Sequence, residues 1–202
     1  MKFIEMNIDE LNSASVDLCK LIGPDYHPDF VAYLARGGYL IGLNVAHYFD
    51  CPVVELDKHR STPIDKNSSL LCRLPFWLRH IMREVELALR NVHSNASEVA
   101  TVSPAVITGR YPLPQNASEI LVVDDSIDSG ASVIAARKAL EACFPDSRIK
   151  VAVLNSFIQS SEDVSFDWSL YKNVLLSTPA SADSPCYGEF CKLYETDGYR
   201  CK

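Results

Sequence analysis

The sequence predicts an α/β domain with a mainly parallel sheet flanked by helices. Three observations predict it. Short apolar runs alternate with longer stretches of helical spacing along the 202 residues, the pattern of repeated strand–helix–strand units. Two of these units pass from strand to helix through glycine, at Arg36-Gly37-Gly38 and at Asp128-Ser129-Gly130. The run Ile120 to Val123 leads straight into two adjacent carboxylates, Asp124 and Asp125. Ligands of open α/β sheets bind beyond such strand ends.

A chain of this length is expected to form one domain, and 48% hydrophobic residues are ample for a core. Net charge is −7 and no dense Lys/Arg run occurs, so neither nucleic acid nor an anionic membrane is expected as partner. No apolar run reaches membrane-spanning length. The start, Met1 to Glu5, is too acidic and too short for a signal peptide. The seven cysteines, at 19, 51, 72, 143, 186, 191 and 201, form no Cys-x-x-Cys pair. Reduced thiols in a cytoplasmic protein are therefore expected. Cys186, Cys191 and Cys201 crowd one region, but their spacings fit no common zinc pattern.

Taken in order, Ile8, Leu11, Val16, Leu18, Leu21 and Ile22 mark an amphipathic helix that ends before Gly23-Pro24. Asp25 to Pro28 is a turn, and Phe30 to Ala35 a strand. The paired glycines then open a helix over about 39–49, an arrangement ready for an anion. Cys51 to Leu56 is the next strand, with Asp57, Lys58, His59 and Arg60 at its edge. Leu74 to Asn91 reads as a helix whose apolar surface carries Phe76, Trp77, Ile81, Val85, Leu87 and Leu89. Such a surface suits a core, a homodimer interface or a protein partner better than a ligand. Glu98 to Val102 reads as a strand, and Ser103 to Gln115, with three prolines, as a mobile loop. Beyond Gly130, Val133, Ala136, Leu140 and Cys143 recur at helical spacing up to Pro145. Arg148 to Leu154 is a buried strand, Ser160 to Ser165 a polar turn, and Asn173 to Ser177 the last strand.

The chemistry concentrates in residues 120–132. Gly130 lets backbone approach an anion, and the first N–H groups of a helix are unpaired donors. Ser129 and Ser132 add hydroxyls, so the loop suits a phosphate monoester. Asp124 and Asp125 suit vicinal hydroxyls, or Mg²⁺ held directly or through water. Together they describe a site for a ribose 5-phosphate. Asp128 or Ser129 is expected to cap the helix as well. A phosphoacceptor receiver domain also places acids at strand ends, but the Ser-Gly-x-Ser nest directly after them argues against it.

All thirteen positions from Ile120 to Ser132 resemble the phosphoribosyl-pyrophosphate (PRPP) signature of the type I phosphoribosyltransferases. Arg36-Gly37-Gly38, about 85–90 residues upstream, resembles that family's pyrophosphate loop in family order. The resemblance covers residues 30–60 and 118–157. It implies a Rossmann-like sheet with core segments 24–60 and 118–177, a helical insertion at 61–117, and a small hood from the terminal segments 1–23 and 178–202. It implies a cis peptide at Ala35–Arg36. It also implies Asp124 and Asp125 on the ribose hydroxyls and Mg²⁺, Ser129, Gly130, Ala131 and Ser132 around the 5′-phosphate, and Arg36, Gly37 and Gly38 on pyrophosphate. Lys58, His59 and Arg60 fall where the family's flexible loop meets pyrophosphate charge.

Asp128 resembles the residue of the 6-oxopurine branch, which uses hypoxanthine, guanine or xanthine. There a carboxylate beside purine N7 acts as general base and stabilises nearby positive charge. Lys172 falls where that branch offers a lysine to the exocyclic oxygen. Asn173 stands where the stacking aromatic is usual, with Trp168 or Tyr171 as substitutes. The usual basic residue after the PRPP helix is missing, and Asn155, Ser156 and Phe157 occupy that area. Three functions stay open: a transferase acting on a nucleobase, a PRPP-binding regulator without catalysis, and an interaction protein working through the 74–91 helix.

Overall fold

The computed structural model describes residues 2–58, 102–157 and 164–201. The helix expected over 74–91, most of the strand expected over 98–102, and His59 and Arg60 lie outside the described residues. The chain runs β1 (Lys2–Glu5), α1 (Ile8–Ile22), β2 (Phe30–Leu34), α2 (Tyr39–Phe49), β3 (Val53–Asp57), β4 (Val106–Ile107), β5 (Glu119–Ile127), α3 (Ala131–Cys143), β6 (Arg148–Ser156), β7 (Trp168–Lys172), β8 (Val174–Ser177) and α4 (Tyr187–Thr196).

The helix expected over 8–22 forms over those residues because both of its ends are signalled locally. Asn7 Oδ1 accepts the Glu10 amide at 2.9 Å, and Glu10 Oε2 accepts the Asn7 amide at 2.8 Å. This reciprocal pair satisfies two first-turn donors. Gly23 closes the far end at φ +97. Leu11, Ala14, Leu18, Cys19 and Ile22 face the core. Val16 and Leu21 lie off that stripe and are exposed.

Six strands make the central sheet in the order β4-β3-β2-β5-β6-β7, all parallel except β4. The core is split by the sheet. Val31, Tyr33, Leu121 and Val123 pack with α1 and α2 on one face. Phe30, Ala32, Ile120 and Val122 pack with α3 on the other. Fully buried parallel strands explain why these segments read as continuous apolar runs rather than alternating ones. Among the described residues, no helix is long and apolar enough to cross a membrane.

Three expectations are corrected. The strand at Ile120–Val123 continues to Ile127, so the two acids lie within it. Parallel pairing sustains it, as Asp124, Ser126 and Ile127 pair with Val153, Asn155 and Ser156 of β6. Residues 103–115, expected as loop throughout, contain a short strand. Val106 and Ile107 pair antiparallel with Asp57 and Leu56, and the segment beyond is tied into the interior. The last stretch is two strands, not one. Trp168–Lys172 joins the central sheet, and Asn173, at φ +54, turns the chain so that β8 pairs with β1 instead. Asparagine is among the few residues besides glycine that visit this left-handed region.

Candidate functional site

The strand order places the site. From β2 the chain crosses through α2 toward one edge of the sheet, and from β5 it crosses through α3 toward the other. The crevice at this reversal, beyond the carboxyl ends of β2 and β5, is where ligands of such sheets bind. The pairing Tyr33↔Val123 sets β2 and β5 side by side, so the loops that follow them, from Ala35 and from Asp128, leave the same end of the sheet.

On the β5 side the pleat separates the acids. Asp124 continues the face of Ile120 and Val122, and Asp125 that of Leu121 and Val123. Asp124 is buried, and its Oδ1 accepts the Asp125 amide at 2.9 Å. Asp125 points at the other loop. A Cβ on Gly37 would stand 2.7 Å from Asp125 Oδ2. Only glycine permits that approach. Asp128 and Ser129 are exposed at the turn, while Ala131 and Ser132 open α3 half-buried.

Gly130, at φ +78, occupies the N-cap of α3, and no side chain caps that helix. The expected cap by Asp128 or Ser129 is thus corrected: the left-handed glycine takes the position, and the first-turn donors stay open to an anion. Val164 covers this turn from the side, where a Cβ on Gly130 would come within 2.2 Å of its Cγ1. The helix α2 repeats the device. Gly38 is its N-cap with no side-chain hydrogen bond, and the Ala35–Arg36 peptide just before it is cis. The Arg36–Gly38 loop and the 128–132 turn therefore present two open helix N-termini on either side of the acids.

Asp124 and Asp125 suit Mg²⁺ in a particular way. Two neighbouring carboxylates are a donor set for an ion that fills its remaining positions with water and substrate oxygens. Among the described residues, no three His, Cys, Asp or Glu side chains stand close enough for an all-protein cage. The cysteines expected to crowd together are free thiols, and Cys201 donates to the Leu43 carbonyl at 3.4 Å.

The residues proposed for a base are less well gathered. Lys172 ends β7, exposed and opposite Ser156, two strands from β5. Trp168 starts β7 at the opposite end of the sheet, 5.3 Å from the Tyr26 ring and 5.0 Å from Lys150 Nζ. It cannot stack on a ligand at the carboxyl ends. Tyr171 is half-buried near the carboxyl end, on the α1 side. Asn155, which stands in for the missing basic residue, is fully buried. Its Nδ2 donates to the Val174 carbonyl at 2.8 Å, and its Oδ1 accepts the Val174 amide at 3.2 Å. It is a clamp on β8, not a ligand group.

Sequence reasoning missed a polar network under the Arg36–Gly38 loop. Glu55, in the middle of β3, is buried and accepts from Tyr33 at 2.6 Å, Tyr194 at 3.0 Å and Arg110 at 3.4 Å. Asp197, at the end of α4, accepts from Tyr111 at 2.6 Å, Tyr39 at 3.0 Å and Arg110 at 3.4 Å. Arg110 also donates to the Tyr194 carbonyl, and its guanidinium carbon lies 4.3 Å from the Tyr194 ring centroid. Burial and the Asp197 carboxylate push the Tyr111 hydroxyl up to about 12. Burial would raise Asp197, but the hydrogen bonds from Tyr111 and Tyr39 and the Arg110 charge outweigh it and hold the carboxyl below its ordinary range. One signal was legible: a lone Glu inside Val53-Val-Glu-Leu-Asp57 demands a buried partner.

No family model and no curated protein matches the chain. Solved structures do. A purine phosphoribosyltransferase from Pyrococcus horikoshii is similar at TM-score 0.57 and 17% identity, over 90% of this chain and 95% of that one. The Helicobacter pylori xanthine-guanine-hypoxanthine phosphoribosyltransferase is similar at TM-score 0.55 and 14% identity, over 96% and 98%. An adenine phosphoribosyltransferase from Thermoanaerobacter pseudethanolicus is similar at 0.51 and 14%, over 82% of each chain. At such identities the likeness is one of architecture, and together with the strand order and the two glycine turns it gives this chain the fold of the type I phosphoribosyltransferases.

Proposed function

We propose that the protein is a phosphoribosyltransferase, moving the 5-phosphoribosyl group of PRPP to a nucleobase and releasing pyrophosphate. The observation that carries this reading is the meeting of two open helix N-termini with an acidic pair between them. Each terminus suits one phosphate group of PRPP, and the acids suit the diol between those groups. Gly130, Ala131 and Ser132 with Ser129 hold the 5′-phosphate, and Arg36, Gly37 and Gly38 the pyrophosphate. Asp124 and Asp125 orient the ribose hydroxyls. They would also hold Mg²⁺, which supplies charge neutralisation for the departing pyrophosphate.

Asp128, exposed at the β5–α3 turn, is the general base in this reading. It accepts the proton of an incoming 6-oxopurine as the bond from C1 to pyrophosphate breaks and positive charge spreads over the sugar. Lys172 would meet the exocyclic oxygen. The solved purine phosphoribosyltransferases of the same fold support a purine acceptor as a class.

A second reading is a PRPP-binding regulator, favoured by one observation: Asn155 is committed to β8 where a basic residue is usual. Calorimetric titration with PRPP and Mg²⁺, followed by pyrophosphate release with hypoxanthine, guanine, xanthine and adenine, separates the two. Binding with base-dependent release is the expected result. Binding without release for any base identifies the regulator, and no binding overturns both.

A further inference from the structure

We propose that Arg110 is the positioning residue of the Arg36–Gly38 loop, locking helix α4 beneath that loop so that Arg36 is held ready for an anion. The anion is the pyrophosphate group of PRPP, so the proposal rests on the function inferred above.

The network surrounds the loop at both ends. Tyr33 is the last residue but one of β2, two residues before Ala35, and Tyr39 follows Gly38 directly. Each of these tyrosines gives its hydroxyl to a carboxylate that Arg110 also holds, Glu55 for Tyr33 and Asp197 for Tyr39. Arg110 is the one side chain that touches both carboxylates among the described residues. Its planar guanidinium, with five donors, suits this bridging, which an ammonium does not reproduce.

The same side chain reaches α4, through the Tyr194 carbonyl, the Tyr194 ring and Asp197. In turn α4 supports Arg36. The Arg36 guanidinium carbon stands 5.2 Å from the Tyr194 ring centroid, and Tyr187, about two helical turns earlier on α4, stands where the Arg36 charge acts on its hydroxyl. The order of dependence is therefore Arg110 to Tyr194 and Asp197, then to Arg36. Arg110 itself is delivered by β4. The Thr108 amide donates to the Glu55 carbonyl at 3.2 Å, and Gly109, at φ +74, turns the chain inward.

The test uses the whole chain with two readouts. The first is amide exchange in the protein alone. The Gly38 and Tyr39 amides donate to the Leu34 and Arg36 carbonyls at 2.9 and 3.1 Å and report on the loop. The Ile134 amide, which donates to Gly130 at 3.0 Å, reports on the other turn. In Arg110→Gln the Gly38 and Tyr39 amides are expected to exchange about tenfold faster while Ile134 is unchanged. Unchanged exchange at Gly38, or equal acceleration at all three, overturns the proposal.

The second readout is titration with PRPP and with ribose 5-phosphate, which lacks the pyrophosphate. Affinity for PRPP is expected to fall about tenfold and that for ribose 5-phosphate to stay. An equal fall for both overturns the positioning role. If the unaltered protein binds neither compound, the function inferred above fails, and the exchange result alone decides whether Arg110 holds the loop. Arg110→Gln leaves Glu55 buried without its cation. If that variant does not fold, Tyr194→Phe removes the tie to Glu55 but keeps the ring under Arg36, and must show the same selective acceleration in weaker form.

Discussion

Gly37→Ala is the sharpest perturbation of the candidate site. The added Cβ would lie 2.7, 2.8 and 3.0 Å from Asp125 Oδ2, Cγ and Oδ1. Ordinary contact begins at 3.4 Å, so the carboxylate must retreat by up to 3.4 − 2.7 = 0.7 Å. No backbone penalty accompanies this, because Gly37 is not among the positive-φ residues. The cost is that of pushing one half-exposed side chain off its rotamer, about 0.5–1.5 kcal/mol. For a chain of this size that lowers Tm by about 1–6 °C. The functional effect is larger. A catalytic or binding group misplaced by close to 1 Å costs on the order of 100-fold, so PRPP affinity should fall between ten- and a hundredfold. Gly130→Ala is the control. It combines a left-handed residue, worth about 1–2 kcal/mol, with a Cβ only 2.2 Å from Val164 Cγ1. Overpacking of that kind costs about 1–3 kcal/mol, so the Tm loss should exceed that of Gly37→Ala. The assays are calorimetric titration with PRPP and a thermal melt on each variant. Unchanged PRPP affinity in a folded Gly37→Ala protein would refute the claim that Asp125 and this loop form one site.

Three further outcomes follow from the same geometry. Asp128→Asn should lower turnover by about 10²–10⁴ while calorimetry shows PRPP affinity nearly intact; equal loss of both would make Asp128 a structural residue. Asn155→Leu strands the buried amide and carbonyl of Val174, about 1–3 kcal/mol for each group, so urea unfolding should show a loss of several kcal/mol without a change in PRPP affinity per folded molecule. Asp197 has a depressed carboxyl, so its contribution is present above the ordinary aspartate range and is lost as pH falls through the lower folded value. Tyr111 is shifted the other way, so its contribution is full below pH 10 and lost by about 12. Asp197→Asn should therefore flatten the acid limb of a Tm-against-pH curve; an acid limb as steep as before would rule out this carboxylate as its source.

Local signals accounted for much of this molecule. The Asn7–Glu10 capping pair and Gly23 delimit α1, and Gly38 and Gly130 announce α2 and α3 at the places where they begin. The acidic pair, the two glycine turns and their order along the chain pointed to the crevice between β2 and β5. The end of β5 was read short because Asp124 and Asp125 resemble loop residues, and only the pairing with β6 keeps them in a strand. Arg110, Tyr111, Tyr194 and Asp197 were invisible for a different reason. Their meaning depends on Glu55, which is 55 residues from Arg110 and 139 from Tyr194, and no periodicity reports a contact at that distance. Trp168 was misjudged as a stacking residue because β7 was not recognised as a strand, so its two ends were not distinguished.

The pairing of β1 with β8 bears on the order in which the molecule is made. Lys2 is registered with Val174 and Glu5 with Ser177, and the Met6 amide donates to the Ser177 carbonyl at 2.9 Å. The earliest of the described strands along the chain thus has its partner in the latest. Every strand of the six-stranded sheet has been synthesised once Lys172 has emerged, while β1 is still without its ladder. Contacts of such sequence separation close the largest loop and form late. Until then Ile4, which packs into the α1–α2 core, has no strand to hold it there. A chain released after Asn173 should accordingly carry a protected central sheet and a β1 segment open to protease.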